Sequence, residues 1–347
     1  QQAYVKTHSK SEGRTWGLGT SVSLSGDGNT LAVGAFGSSA ANDSGAAYIF
    51  VRNKDWATQI DKDAKFNLAW TQQGEFIEAR DNHHFGRRVS LSTDGNTLAV
   101  SAKGDDSSAK GIDGNENNTA AENSGAVYVY IRDKNWETNE NFWTRQAYIK
   151  ASNTDINDDF GYSISLSGDG NTLAVGTAKE QSNSVGIGSN ENNNDADKSG
   201  AVYVFSRDID WEDKSYTDNQ SPWAQQAYIK ASNAGSSDWF GNRLSLSDDG
   251  KTLAVSATEV GSNETGINQS GVFAEVNDST CCSNSGAVYI FTRVDSKWLE
   301  KTYIKAKNPK VRDNFGKSVI LSGKGNTLVV GSEADATSDI FDKVYIY

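Results

Sequence analysis

One short string of residues recurs five times along the chain, and this repetition constrains the fold more than any other feature of the sequence. The copies are LSGDGNTLAVG at 24–34, LSTDGNTLAVS at 91–101, LSGDGNTLAVG at 166–176, LSDDGKTLAVS at 246–256 and LSGKGNTLVVG at 321–331. Repetition at a near-constant interval is typical of architectures in which each unit packs on its neighbours rather than into a single shared core.

Two further strings recur with the first. One reads SGAAYIF, SGAVYVY, SGAVYVF, SGAVYIF and finally DKVYIY, and the other reads QQAYVK at 1–6, QGEFIEA at 73–79, QAYIK at 146–150 and 226–230, and KTYIK at 301–305. Each string alternates with a period of two, as a β-strand does, and helical periodicity is absent. The Asp-Gly pair inside the first string predicts a tight hairpin turn. The unit is therefore four short strands.

Five four-stranded sheets with apolar residues on both faces cover those faces by packing radially, so we predict an all-β, five-bladed β-propeller. The Ser-rich strand after Phe-Gly is predicted to be innermost, followed by TLAVG, GAVYVF and QAYIK outwards. The chain then starts with an outer strand and ends with a third strand, so residues 1–8 are predicted to complete the last blade of one closed ring. The predicted blades are 16–79, 85–151, 160–232, 240–306 and 315–347 plus 1–8.

Composition excludes two classes of protein. The 347 residues carry 33 Lys and Arg against 45 Asp and Glu, a net charge of −12, whereas a nucleic-acid binder needs a basic face. No apolar run approaches the roughly 18 residues of a membrane-spanning helix, so we expect no membrane insertion.

Phe-Gly at 85–86, 160–161, 240–241 and 315–316, with GDGNTLAVG and SGAVYVF, resembles the FG-GAP repeats of integrin alpha-subunit propellers. It looks closer still to the bacterial version in secreted and surface proteins. Blade 1 departs from this pattern, because it has Trp16-Gly17-Leu18-Gly19 where the other blades have Phe-Gly. The resemblance implies the propeller fold and an extracellular binding role. It does not carry the family's calcium loop onto this chain, because that hairpin is shortened here to SGDGNT.

Alternating strand direction places the blade connectors and the loops between second and third strands on one side of the propeller, which we call the loop-rich rim. These loops span 103–123, 178–198 and 258–284 and are rich in Asn, Asp, Ser and Gly. Long polar loops on a rigid scaffold commonly carry binding residues, and the alternative is a solvated surface without a ligand. The rim is the predicted binding surface.

Two kinds of side chain are candidates for ligand binding on this rim. Trp16 and Trp239 lie in connectors, where they would stack on a sugar ring or peptide side chain, or else fill the space between blades. The second kind is basic and starts the inner strands: Arg87, Arg88, Arg243 and Lys317. These four would form a cationic patch near the axis for a carboxylate or sulfate, or would pair with connector aspartates such as Asp81, Asp238 and Asp313.

Calcium is the predicted cofactor, through two stretches with oxygen ligands at alternate positions. These are Asp113-x-Asn115-x-Asn117 and Asp155-x-Asn157-x-Asp159. Neither has the Gly and Glu that complete an EF-type loop, so the alternative is an Asx-rich turn. The adjacent Cys281 and Cys282 predict a vicinal disulfide in an oxidising compartment, with two free thiols as the alternative.

The sequence thus predicts a secreted or surface-displayed binding module that recognises a glycan or peptide at a cell or matrix surface, as part of a larger adhesin. One rival is a structural protein that docks to another extracellular protein. The other is a polysaccharide lyase or glycosidase. We expect no enzyme, because the sequence contains no GxSxG, HExxH, GxGxxG or P-loop motif, although carboxylates for glycoside cleavage are plentiful.

Overall fold

The computed structural model describes residues 17–36, 45–53, 70–77, 83–136, 143–208, 210–211, 221–269, 282–333 and 343–347. Within these ranges the chain forms β-strands and turns, with no helix. Accordingly, the described segments contain no helix that is long and apolar enough to cross a membrane.

Five antiparallel sheets follow one another along the chain in a β-propeller arrangement, and we number them blades 1 to 5. Blades 1 and 2 contain β1 (Leu18–Leu24), β2 (Thr30–Ala35), β3 (Ala46–Arg52), β4 (Trp70–Ile77), β5 (Phe85–Leu91), β6 (Thr97–Ala102), β7 (Ala126–Arg132) and β8 (Trp143–Ile149). Blade 3 contains β9 (Ser163–Leu166), β10 (Thr172–Thr177), β11 (Ala201–Arg207) and β12 (Trp223–Ile229). Blades 4 and 5 contain β13 (Phe240–Leu246), β14 (Thr252–Ala257), β15 (Gly266–Gln269), β16 (Ala287–Val294), β17 (Lys297–Lys305), β18 (Ser318–Leu321), β19 (Leu328–Ser332) and β20 (Lys343–Ile346).

The order of strands within the blades confirms the prediction. Blades 1 to 3 run from innermost to outermost strand in chain order, and blade 4 does the same with β15 added at its outer edge. Blade 5 has three described strands, in the order β18-β19-β20. Its predicted fourth strand at 1–8 lies outside the described residues, so the closing of the ring through this strand stays a prediction.

Blade 3 shows how the sheets pack: both of its faces are apolar, and each face packs on a different neighbouring blade. In blade 3, Val175 and Tyr203 join a buried cluster with Val127 of blade 2. Val202 of the same blade joins a cluster with Tyr289 of blade 4.

Each blade docks on the next through a glycine. The Gly of the recurring Ser-Gly pair forms a parallel bridge to the Phe that opens the next inner strand, as between Gly200 and Phe240. A Cβ atom built on Gly200 would lie 2.1 Å from the Phe240 carbonyl oxygen, and φ is +82° there. Only glycine fits this close approach, which explains why Ser-Gly recurs before the third strand.

Serines link consecutive inner strands near the axis. The Oγ of a serine in one blade accepts the N–H of a leucine in the next, at 2.9 to 3.0 Å. The pairs are Ser23 with Leu91, Ser90 with Leu166, Ser165 with Leu246, and Ser245 with Leu321. Ile320 occupies the corresponding position in blade 5. The repeated serines therefore have a bonding role as well as a small size.

A lysine of the outer strand is buried in blades 2, 3 and 4. The ammonium group of Lys230 donates to Glu180 Oε2 at 2.9 Å and to the Oγ of Ser199, the serine of the Ser-Gly pair. Lys150 forms the same contacts with Asp105 and Ser124. In blade 4, Lys305 donates to Ser285 at 2.6 Å, but Val260 stands at the position of the carboxylate.

Tryptophans that recur from blade to blade pack in the outer part of the propeller. An arginine at the end of the third strand stacks on one or two of them, as Arg207 does on Trp211 and Trp223. The Oε1 atom of Gln146 in blade 2 accepts hydrogen bonds from both Arg207 and Trp223 of blade 3. Gln226 joins blades 3 and 4 in the same way, through Arg293 and Trp298.

Candidate functional site

The four connectors between consecutive blades end in the same two-residue turn on the loop-rich rim. A buried residue is followed by a residue with φ between +45° and +58°, which turns the chain into the inner strand. The pairs are His83-His84, Asp158-Asp159, Asp238-Trp239 and Asp313-Asn314.

The buried aspartates close these connector turns. Asp238 Oδ2 accepts the N–H of Gly235 at 2.6 Å, and Asp158 and Asp313 accept the N–H three residues earlier in the same way. Burial raises the pKa of Asp238 to about 7 and, with repulsion from Glu180, the pKa of Asp158 to about 8. Because three connectors repeat the arrangement, it has a structural explanation that involves no reaction.

A cavity of about 450 Å³ opens beside Trp239. Its lining also includes Asp238, Glu259, Ser283 and Asn284, and it is therefore mainly polar around one aromatic ring. Glu259 accepts a hydrogen bond from the side-chain amide of Asn284, and burial raises the pKa of its carboxyl. An aromatic face bordered by carboxylate, amide and hydroxyl groups suits a sugar ring.

One arginine from blade 2 and one from blade 4 lie close enough to influence each other electrostatically. Arg88 and Arg243 occupy the same place in their repeats, and blade 3 lies between them. Burial, together with repulsion from Arg243 and Arg87, lowers the pKa of Arg88 to about 10. Because blades 2 and 4 are not neighbours, this repulsion indicates that the two guanidinium groups lie within electrostatic range of each other across blade 3.

Among the described residues no carboxylate lies within ion-pair distance of Arg88 or Arg243, and the carboxylate that Arg243 influences electrostatically is Glu333, which pairs with Lys317. Arg88 donates to the Arg87 carbonyl, Arg243 donates to the carbonyl and side chain of Asn242, and Arg87 stacks on Phe36 at 4.8 Å. Of the two predicted roles, the geometry therefore favours a cationic patch over pairing with the connector aspartates Asp238 and Asp313. Asp81 and Trp16 lie outside the described residues.

Lys317 is the fourth predicted basic residue, and it differs from the arginines. Its ammonium group lies 2.8 Å from Glu333, with both side chains about half exposed. Tyr162 directly precedes the inner strand of blade 3 and lies within electrostatic range of Arg88. Its ring contacts the ring of Trp239 edge-on, with the ring centroids 6.3 Å apart. Tyr162 therefore connects the arginine cluster to the cavity beside Trp239.

The residues of the two predicted calcium stretches bond to other protein groups. Asp113 Oδ1 accepts the N–H of Tyr148, and Asn115 Oδ1 accepts the N–H of Asn117. In the second stretch, Asp155 accepts a hydrogen bond from Asn194, Asn157 accepts one from Asn123, and Asp159 pairs with Lys179 at 2.9 Å. No cluster of three or more His, Cys, Asp or Glu side chains arranged for a metal occurs in the described part of the chain.

Part of each long loop runs along an outer strand instead of projecting from the rim. Ile112 bridges to Ile149, and Ile187 bridges to Ile229. In blade 4 the same Gly-Ile pair forms β15, which adds a fifth strand beside β17. These segments cover the open edge of the outer strand, a common protection against edge-to-edge pairing.

Cys282 is buried, and Cys281 lies outside the described residues, so their disulfide stays a prediction.

Sequence reasoning did not single out Tyr162 or Glu259 as site residues. Tyr162 was detectable, because it aligns with Arg87 and Lys317 in the repeat. The sequence around Glu259 gives no comparable sign of a site, because Glu259 and Trp239 line the same cavity only through the packing of a loop against a blade connector.

The FG-GAP repeat family model matches residues 17–50, 143–205 and 223–291. No curated protein sequence matches the chain. Hydrazine synthase of Kuenenia stuttgartiensis is similar in structure, with a TM-score of 0.47 and 15% identity over 99% of this chain and 65% of that one. The periplasmic gluconolactonase PpgL of Pseudomonas aeruginosa has a TM-score of 0.48 and 12% identity, over 91% of this chain and 65% of that one. Sqt1 of Chaetomium thermophilum has a TM-score of 0.44 and 12% identity, over 92% of this chain and 68% of that one. The chain spans just under two thirds of the first two proteins.

Proposed function

The chain is an FG-GAP repeat β-propeller, and we propose that it is an extracellular binding module that recognises an anionic glycan on its loop-rich rim. The ligand's carboxylate or sulfate would lie at the axis, and a neighbouring sugar ring would lie in the cavity beside Trp239. In this proposal the chain acts at a cell or matrix surface, as the ligand-binding part of a larger surface protein.

One observation carries the proposal: Arg88 and Arg243, from two blades that are not neighbours, lie close enough to repel each other, and neither forms a close ion pair with a carboxylate among the described residues. The protein as a whole has a net charge of −12, so a local excess of positive charge is not the product of a generally basic surface. Guanidinium groups bind carboxylate and sulfate through paired hydrogen bonds. Two neighbouring arginines without a close carboxylate among the described residues are therefore suited to a single anionic group.

The cavity beside Trp239 supports a glycan over a peptide as the ligand. Its polar lining offers hydrogen-bond acceptors in Asp238 and Glu259 and donors in the serine hydroxyls, which match the hydroxyl groups of a sugar. Calcium would order the neighbouring loops through Asp155 and Asp113 in this proposal, although both carboxylates already accept protein hydrogen bonds.

The two rivals predict different behaviour. A protein that only docks to another protein would bind no free oligosaccharide. A lyase or glycosidase would release products from a polysaccharide, and Asp238 with Glu259 is the carboxylate pair to examine, since both have raised pKa values and line one cavity.

The test is a glycan array followed by calorimetry with sulfated, carboxylated and neutral oligosaccharides of equal length. We expect binding to the anionic members, weakened at least tenfold in Arg88→Gln and in Arg243→Gln. Lys301→Gln is the matched control, because it removes one positive charge from the exposed outer part of blade 4. Each titration is repeated with EDTA, and loss of affinity there would assign a role to calcium.

Three results would contradict the proposal. Equal binding of neutral and anionic oligosaccharides would remove the role of the arginines, as would an equal loss of affinity in Lys301→Gln. Binding of acidic peptides alone would favour the docking rival. Turnover of a polysaccharide, lost in Asp238→Asn or Glu259→Gln, would favour the enzyme.

A further inference from the structure

The long loops of blades 2 and 3 share one phrase and the same internal hydrogen bonds. The phrase reads GIDGNENN at 111–118 and GIGSNENN at 186–193. In each copy a serine hydroxyl and an asparagine amide donate to the carbonyl of the first asparagine, whose side-chain oxygen accepts the N–H two residues later. The glutamate of the phrase, Glu116 in blade 2 and Glu191 in blade 3, is therefore held in the same way in both loops.

In blade 2 an arginine of the outer strand joins that strand to the loop. The guanidinium group of Arg145 donates to both carboxylate oxygens of Glu116, at 2.9 and 3.2 Å. Two parallel hydrogen bonds between a guanidinium and a carboxylate form a strong and geometrically specific ion pair. The loop of blade 2 is therefore tied to β8 by a cation that the chain itself supplies.

Blade 3 keeps the glutamate but lacks the arginine. Gln225 occupies the repeat position of Arg145, and Gly188 occupies that of Asp113. A cavity of about 380 Å³ lies between the loop and β12 at this place, and Glu191, Gln225 and Gly188 are part of its lining. The described residues that line it include no basic side chain. The space is thus found where two side chains of blade 2 are replaced by shorter ones.

Two buried oxygen atoms in the lining of this cavity lack a hydrogen bond. Gln225 Oε1 and Ser189 Oγ are both buried, and neither has a hydrogen-bond partner within the described part of the chain. The amide nitrogen of Gln225 donates to Ser152 at 3.0 Å, which leaves the amide oxygen for another donor. Buried acceptors without a donor are costly. Together with the Glu191 carboxylate they form a set of acceptors suited to a cation that carries several N–H groups.

We propose that the cavity of blade 3 binds a guanidinium group from outside the chain, as an arginine side chain of a partner protein or a small guanidino compound would supply. The guanidinium takes the role that Arg145 has in blade 2, with paired hydrogen bonds to Glu191. Its other N–H groups donate to Gln225 Oε1 and Ser189 Oγ, since a guanidinium has five N–H donors. An ammonium group lacks this planar fork, so lysine should bind more weakly than arginine. The site shares no residue with the proposed anion site, so either proposal can fail without the other.

The test is a ligand-observed NMR titration of the full chain with short capped peptides that differ only in a central arginine, citrulline or lysine. Citrulline has nearly the shape of arginine but no charge, so its peptide should bind at least tenfold more weakly, with the lysine peptide between the two. Methylguanidinium is titrated in parallel. If it binds as tightly as the arginine peptide, the ligand is a small guanidino compound, whereas tighter binding of the peptide assigns an arginine side chain of a protein.

Three variants locate the binding. Glu191→Gln removes the carboxylate, and Gln225→Arg supplies a guanidinium from the chain itself, as blade 2 does, so each should weaken binding of the arginine peptide at least tenfold. Glu116→Gln is the matched control, because Glu116 has the same repeat position but is already paired with Arg145. It should leave the affinity unchanged, and circular dichroism checks the folding of all three variants.

Four results would overturn the proposal. Wild type that binds no arginine peptide or methylguanidinium at millimolar concentration would do so, as would equal binding of the arginine and citrulline peptides. Undiminished binding by Gln225→Arg would place the ligand elsewhere. An equal loss of affinity in Glu116→Gln and Glu191→Gln would show a general effect of charge.

Discussion

Replacing the same buried lysine in two blades should change stability in opposite directions. Lys230 and Lys305 occupy one repeat position and both donate to the serine of the Ser-Gly pair. Lys230 also bonds to Glu180, whereas Lys305 faces Val260 where that carboxylate would be. We therefore expect Lys230→Met to destabilise the protein and Lys305→Met to stabilise it.

The magnitudes follow from charge and burial. Burial lowers the pKa of Lys305 from 10.5 to about 8, and at ~1.36 kcal/mol per pH unit this costs the folded state about 3 kcal/mol at pH 7. Removing its hydrogen bond to Ser285 costs about 1 kcal/mol, which leaves a net gain of about 2 kcal/mol. Lys230→Met instead leaves Glu180 buried without its ammonium partner, a loss of about 3–5 kcal/mol.

The assay is equilibrium unfolding in urea, followed by tryptophan fluorescence at pH 7 and pH 10.5. A lysine with a lowered pKa binds fewer protons when folded, so wild-type stability should rise between pH 8 and 10.5, and the advantage of Lys305→Met should vanish there. If Lys305→Met destabilised the protein as much as Lys230→Met, or if its effect did not change with pH, the reasoning would be refuted.

Three further predictions concern the joints of the fold. In urea unfolding, Gly200→Ala should lower the free energy of unfolding by about 1–3 kcal/mol more than Gly186→Ala does, because both glycines have positive φ but only Gly200 lies against Phe240. Equal losses in the two variants would contradict this. Folded Asp238 keeps a proton that the unfolded chain releases, so wild-type stability should fall as pH rises from about 4 to 7. Asp238→Asn should make this fall smaller, and an unchanged dependence of stability on pH would argue against the reasoning. Deleting residues 1–8 should lower Tm by leaving the edge of β20 open, and an unchanged Tm would reject that strand.

The repeats made most of the fold predictable from the sequence. Five copies of the hairpin string fixed the number of blades, and small residues with Phe-Gly located the innermost strand, as β5-β6-β7-β8 confirms. The buried Lys230 and the Gln146 contact were visible as recurring letters in QAYIK. Their partners were not, because the pairing of Gln146 with Arg207 depends on how two blades twist against each other.

The site was predictable only in outline. Arg88 and Arg243 stood out as basic residues in an acidic chain, but the sequence did not decide between a shared patch and pairing with aspartates. That choice depends on side-chain direction across the axis. The loops were read as binding elements, yet Ile112 and Ile187 run along outer strands, a role that the repeated Gly-Ile pair signals in retrospect.

A double-mutant cycle tests most directly whether the propeller brings Arg88 and Arg243 together at one anion site. Affinity for the strongest anionic oligosaccharide is measured for wild type, Arg88→Gln, Arg243→Gln and the double variant. Two arginines on one anionic group should be coupled, so the double variant should lose markedly less affinity than the product of the two single losses. Losses that simply multiply would show that the arginines act at separate places and would contradict a shared anion site.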